Sequence, residues 1–291
     1  MFGGNEEQFF HDYWRKRLLF LHSAVPEFRD FYSRTRFLED YRRLNFHKAS
    51  LLVSIDQQGN RRMSRPSDVS SLDCALSSGI SLVLQALMLP AQLEQLPREW
   101  STFLDLYHAL SEYLLPGLPL RKQPGWAVAA LDFFCTSTKT TIGGHYDTGD
   151  VFYFVLDGEK EWTVELTPDM NMGLKLASEG ENYTLDRCPV NEHVTISLTP
   201  GDCIYVPPYT YHRVCSTGDS LAVSVGLPTF NELTILRFAI ARMQKDRIPR
   251  CPLPSFPLTQ PALYQQAQNE IKERSLRALE SALSTSPGVL S

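Results

Sequence analysis

The feature that most constrains this chain is a change of pattern near residue 124. From there to about residue 228 the apolar runs are short, rich in β-branched and aromatic residues, and separated by turn residues. Residues 151–156, 161–166, 194–198, 203–206, 212–215 and 221–226 each read as a strand. Asp157-Gly158 reads as a tight hairpin turn between the first two. Further turns are expected at Pro200-Gly201-Asp202 and at residues 216–219. Closely spaced short strands predict a sandwich or a barrel.

The flanks read differently. Phe28, Phe31, Tyr32, Leu38 and Tyr41 recur at helical spacing, as do Trp100, Phe103, Leu104, Tyr107 and Leu114. The second helix is expected to start near Pro97 and to stop at Pro116-Gly117. Core packing is the expected role of both aromatic stripes. Between them, residues 49–55 read as a strand followed by a polar turn at 57–60. After 228, helices are expected over 233–245 and 262–283, joined by a proline-rich connector. The apolar series Leu233, Leu236, Phe238, Ile240 and Met243 suits packing on the barrel or dimerisation. The fold expected is mainly β with flanking helices. Its parts are a helical region over 1–115 that contributes to the barrel wall, a β domain over 116–228, and a helical region over 229–291.

Composition narrows the function. With 43% hydrophobic and 21% charged residues, the chain belongs to the globular class. Its 28 basic and 33 acidic residues leave a net charge of −5, which argues against a nucleic-acid partner. No apolar run reaches the ~18 residues of a membrane helix. The N-terminus is acidic and has no basic region of a secretory signal. The six cysteines show no paired spacing, and reduced thiols in the cytoplasm are expected.

The chemistry centres on Gly143-Gly144-His145-Tyr146-Asp147. On an extended backbone residues two apart point the same way, so His145 and Asp147 project together. His212, after Pro207-Pro208, is the candidate third ligand. Two histidines and one carboxylate on one face of a metal leave three positions open, as in non-haem Fe(II) oxygenases. A turn histidine beside a capping aspartate is the competing reading.

Two further features bear on that choice. After Asp157-Gly158, Lys160, Trp162, Val164 and Leu166 share one face, with Glu161, Thr163 and Glu165 on the other, solvent face. Lys160 thus lies on the apolar face, where an unpaired ammonium is costly, and it calls for an anion. A bound carboxylate would serve; a lysine snorkelling at a strand end is the alternative. Ala222, Ser224 and Gly226 form a small-residue face that leaves room for a ligand or for tight sheet packing.

These segments together resemble a family. His145-Tyr146-Asp147, Asp150-Val151-Phe152, Gly158-Glu159-Lys160-Glu161-Trp162, Pro200-Gly201-Asp202 through Pro207-Pro208 to His212, and Ser224-Val225-Gly226 resemble the JmjC (cupin-like) Fe(II)- and 2-oxoglutarate-dependent oxygenases. The ribosomal-oxygenase-like cupins are the subgroup most resembled; the asparaginyl hydroxylase of hypoxia-inducible factor is a more distant likeness. The lead-in Leu76-Ser77-Ser78-Gly79-Ile80-Ser81-Leu82-Val83, read as helical, also looks familial.

The resemblance implies a double-stranded β-helix (cupin, or jelly-roll, core). It implies Fe(II) held by His145, Asp147 and His212, and 2-oxoglutarate held at its distal carboxylate by Lys160, with Ser224 near the same carboxylate. It implies a dioxygenase that hydroxylates a C–H bond of a protein or peptide side chain, consuming O2 and forming succinate and CO2. A homodimer is also implied. Ribosomal relatives often carry an asparagine and a tyrosine on the strand before the first histidine; Leu131 and Phe133 align there. The region after the barrel is shorter than the winged-helix domain of the larger ribosomal oxygenases. Hydroxylation of a small metabolite is the alternative reaction, and a lysine demethylase also fits the family. A non-catalytic metal-binding cupin and a zinc hydrolase are readings of other classes. Tyr146, Tyr153, Trp126 and Tyr209 are candidate wall residues.

Overall fold

The computed structural model describes residues 6–44, 46–55, 61–86, 97–114, 130–169, 171, 191–227, 273, 276 and 277. It divides into two compact units, Met1–His108 with Ala127–Thr229, and Ala109–Trp126 with Phe230–Ser291. The first unit carries the strands and the candidate site. Of the second, residues 109–114, Glu273, Leu276 and Arg277 are described, and all are helical. Trp126, residues 233–245 and nearly all of 262–283 lie outside the described residues, as do Cys188 and Cys251.

Two antiparallel sheets are present. The strands are β1 (Leu19–Leu21), β2 (Ser50–Ile55), β3 (Arg61–Ser64), β4 (Ser81–Gln85), β5 (Ala130–Thr136), β6 (His145–Tyr146), β7 (Asp150–Asp157), β8 (Lys160–Glu165), β9 (His193–Leu198), β10 (Cys203–Val206), β11 (Tyr211–Ser216) and β12 (Ser220–Leu227). The larger sheet runs β1-β10-β7-β12-β5-β4-β2-β3, and the smaller runs β6-β11-β8-β9. The helices are α1 (Glu6–Gln8), α2 (Arg34–Leu44), α3 (Val69–Ser77) and α4 (Arg98–Leu114).

The core lies where strands of the two sheets meet. Val151, Tyr153 and Val155 of β7, Ile204 and Val206 of β10 and Ala222 of β12 pack with Trp162 and Val164 of β8 and Leu198 of β9. On β5 the alternation sends Phe134 and Thr136 into this interior, while Leu131, Phe133 and Cys135 take the other face. That outer face is covered by aromatic side chains. Phe133 meets Trp100 at 4.5 Å, Phe103 at 5.3 Å and Phe37 at 5.6 Å between ring centroids. Phe28 packs on Phe154 and Phe9 on Phe152. The two aromatic stripes are therefore core, each fully buried ring contributing about 1.5–3 kcal/mol. Tyr32 accepts a 2.6 Å hydrogen bond from Trp100 Nε1 and donates to Asp40 at 3.0 Å, so the polar tips of Tyr32 and Trp100 are satisfied.

Several expectations need correction. The first 115 residues contribute four strands, where one was expected. The lead-in 76–83 is not one helix. Asp68 caps α3 through Ser71, α3 ends at Ser77, Gly79 takes φ +73°, and the apolar residues that follow enter β4. Asp157-Gly158 is not a hairpin. β7 and β8 belong to different sheets, and Gly158, at φ +73°, turns the corner between them. Glu165 is buried rather than solvated, because it accepts hydrogen bonds from the backbone of Asn191 and Tyr211.

Cys74, Cys135, Cys203 and Cys215 are free thiols. No helix among the described residues is long and apolar enough to cross a membrane.

Candidate functional site

The order of residues around Gly143 explains how the site is assembled. Gly143 takes φ +84°, and a Cβ on Gly144 would collide with the Tyr211 ring. The two glycines thus let the chain run tightly against β11. β6 then pairs with β11 so that His145 stands opposite His212 and Tyr146 opposite Tyr211. Asp147 follows, its carbonyl accepting from Tyr209 N at 2.8 Å.

The three side chains predicted to act together do come together. Their ligand atoms lie within 4.8 Å of one another. Asp147 Oδ2 is 3.4 Å from His212 Nε2, and Oδ1 is 3.8 Å from His145 Nε2. Each imidazole is oriented from behind: His145 Nδ1 lies 3.1 Å from Gly143 O, and His212 Nδ1 lies 3.1 Å from Thr210 O. A carbonyl only accepts, so each Nδ1 carries the proton and each Nε2 keeps its lone pair. The indole of Trp162 stacks on His212, with planes 22° apart and centroids 5.5 Å apart. Burial, then the His212 ring, pushes the pKa of His145 down to about 3, which keeps it neutral. Neutral imidazoles and one carboxylate are the donors a divalent metal requires. The Asp147 side chain is 38% exposed against 3% for His212, so the cluster opens on the Asp147 side.

The same pocket reaches Lys160. Lys160 is 1% exposed. Its Nζ donates to Ser216 Oγ at 2.9 Å and to Thr136 Oγ1. Among the described residues it forms no ion pair. Burial pushes its pKa down to about 7, and Arg34 adds to that effect. Ser224 also lines the pocket. Ala222 is core, and a Cβ on Gly226 would stand 3.2 Å from that of Ala130, so this face both packs tightly and admits the pocket. Trp162 and Ser81 line the cavity, and their Nε1 and Oγ are buried without a hydrogen-bond partner among the described residues. A buried amine among hydroxyls on the wall of a cavity fits an anionic ligand.

One alignment expectation fails. Leu131 and Phe133 point away from the pocket; the inward positions are Asp132 and Phe134. Asp132 stands opposite Ser224 and Gln85, and burial, then the Asp147 carboxylate, raises its pKa to about 7. An aspartate inside the apolar run Ala130-Leu131-Asp132-Phe133-Phe134 was the sequence signal for it. Of the candidate wall residues, Tyr153 lines the pocket, whereas Tyr146 packs on Tyr211 and Tyr209 forms a turn at φ +61°.

Comparison with known proteins agrees with this geometry. The family model of the JmjC domain matches residues 123–234, which include every side chain of the cluster. Across 86 residues the chain is 33% identical to the bifunctional lysine-specific demethylase and histidyl-hydroxylase NO66 of Dictyostelium discoideum. That likeness covers 30% of this chain and 16% of that protein. In fold, the chain resembles the X-ray structure of Escherichia coli YcfD, with a TM-score of 0.60, 20% identity, and coverage of 97% of this chain and 68% of that one. YcfD is described as a ribosomal oxygenase, and its complex with cobalt and 2-oxoglutarate matches with a TM-score of 0.57, 19% identity, and coverage of 94% and 66%. The fold is thus the JmjC, cupin-like one expected.

Proposed function

We propose that this chain is an Fe(II)- and 2-oxoglutarate-dependent dioxygenase that hydroxylates a C–H bond of a protein or peptide side chain. The observation that carries the proposal is Lys160: a buried ammonium among hydroxyls, in the same cavity as a His-Asp-His cluster. A metal-binding module has no need of the first, and a structural lysine has no need of the second.

His145, Asp147 and His212 would hold the metal on one face, with Gly143 O and Thr210 O fixing the two rings. The stacked indole of Trp162 keeps His212 from swinging away. Lys160, braced by Thr136 and Ser216, would neutralise the far carboxylate of 2-oxoglutarate, with Ser224 as a further polar neighbour. Phe134, Val151 and Tyr153 give the cavity apolar walls that exclude water and strengthen that ion pair. When bound, Fe(II) and 2-oxoglutarate supply the oxidising chemistry, in which O2 is consumed, succinate and CO2 form, and one oxygen atom enters the substrate.

A protein substrate is supported by the relatives, one described as a histidyl-hydroxylase and the other as a ribosomal oxygenase. Reduced thiols support a cytoplasmic setting. Mass spectrometry of cells with the wild-type chain, or with a His145→Ala chain, tests the substrate class. A one-oxygen mass gain on a peptide, dependent on His145, is expected. A gain confined to small metabolites would replace the protein substrate by a metabolite.

A further inference from the structure

In the ligand-free chain the surroundings of Lys160 hold part of it as a neutral amine. The side chain is 1% exposed and forms no ion pair among the described residues. An ammonium buried in that way is costly, and shedding a proton relieves the cost. The neighbouring charge has the same sign. Arg34 Nε donates to Thr136 O at 3.2 Å, and Thr136 Oγ1 accepts from Lys160 Nζ, so Thr136 bridges the two side chains. Arg34 is held in place by Asp219 at 3.0 Å, and that carboxylate is exposed and screened by solvent. The other ionisable neighbours are the thiols of Cys135 and Cys215. With a pKa of about 7, both forms of Lys160 are present near neutral pH.

A neutral amine has two N–H bonds and one lone pair. The two N–H bonds are used on Ser216 Oγ, at 2.9 Å, and on Thr136 Oγ1. The lone pair is left over. Lys160, Thr136, Ser216 and Ser224 all line one cavity. A small electrophile in that cavity therefore meets a nucleophilic nitrogen among hydroxyls. Carbon dioxide is such an electrophile. Nζ attacks its carbon, a C=O π pair moves to oxygen, and one N–H proton leaves to solvent. The product is an N-carboxylate of charge −1. What opposes the ammonium favours this anion: the Arg34 guanidinium lies behind Thr136, and the hydroxyls can turn from accepting to donating.

We infer that Lys160 is a site of reversible carbamate formation with CO2, and that the carbamate closes this end of the cavity to a carboxylate ligand. The first half stands on the cavity alone. The second rests on the oxygenase reading, since it is the far carboxylate of 2-oxoglutarate that a carbamate would repel. The proposed reaction releases CO2 in this same cavity, so its own product would restrain the next turnover.

Carbon-13 magnetic resonance of the full, metal-free chain at pH 8 in labelled bicarbonate tests the site. The wild type should show a carbamate resonance that Lys160→Met and Lys160→Arg lack. Trapping by alkylation, followed by mass spectrometry, should place the added carboxyl on Lys160. Calorimetry with 2-oxoglutarate, at matched pH and ionic strength, tests the competition. At a CO2 concentration about ten times the half-saturating one, wild-type affinity should fall by about tenfold. Lys160→Arg, which keeps a cation but forms no carbamate, should show no CO2 dependence. A wild-type chain without the resonance, or a resonance that persists in both variants, would overturn the inference. A carbamate on Lys160 with 2-oxoglutarate affinity indifferent to CO2 would overturn its second half. A carbamate on a chain that never binds 2-oxoglutarate would sink the oxygenase reading and leave the modification site standing.

Discussion

Lys160 and Ser216 face each other across the β8–β11 ladder, Nζ 2.9 Å from Oγ, and Thr136 completes a ring of hydroxyls around a buried ammonium. Thr136 in turn bonds to Ser216 at 2.6 Å and to Ser220 at 2.8 Å. The arrangement fixes the amine in place for the anion proposed to bind there.

Replacing Lys160 by Met should therefore separate stability from binding. The ligand-free variant loses an unpaired buried charge, so its melting temperature should equal or exceed that of the wild type. Affinity for 2-oxoglutarate should fall by about 100-fold or more, since a buried ion pair loses one partner. Thermal melts and calorimetry check the two halves.

Binding should also depend on pH. The pKa of Lys160 is pushed down to about 7 from its ordinary 10.5. Between those values the unfolded chain binds more protons than the ligand-free native one, so stability rises with pH across that window. Arg34, Cys135 and Cys215 are the ionisable neighbours, and Arg34 favours the neutral amine. A dianion restores the charge, so binding above pH 7 takes up a proton and weakens as pH rises. Calorimetry at pH 8 in buffers of different ionisation enthalpy should show close to one proton taken up per ligand.

Gly144→Ala should injure the metal site more than the fold. The added methyl meets the Tyr211 ring, which packs on Tyr146 and adjoins His212. Displacing His212 from Thr210 O should weaken metal binding by about 10- to 100-fold, the usual cost of disturbing a ligand's support. Metal titration followed by thermal shift checks this, because a bound metal raises the melting point.

Gly158→Ala tests the corner between the sheets. The backbone sits at φ +73°, and a Cβ would lie 2.7 Å from Ser220 Cβ and 2.9 Å from Ser220 Cα. A loss of about 1–3 kcal/mol is expected by chemical denaturation.

Much of the site was legible in the sequence because strand periodicity is simple. His145 and Asp147 two apart, and Lys160 in phase with Trp162 and Val164, needed no long-range information. What failed required it. Both faces of β5 are largely apolar, Leu131 and Phe133 under the helices and Phe134 in the cavity, so parity could not be read from hydrophobicity. A glycine at positive φ specifies a turn but not whether the next strand rejoins the same sheet. Glu165 looked solvated because its backbone partners, Asn191 and Tyr211, are distant in sequence.

The most direct measurement is succinate formation by the purified chain given Fe(II), O2 and 2-oxoglutarate, followed by nuclear magnetic resonance. The wild type should convert 2-oxoglutarate slowly even without a substrate, and His145→Ala should not convert it at all. A wild-type chain that neither binds 2-oxoglutarate nor forms succinate would contradict the assignment of this cavity to an oxygenase.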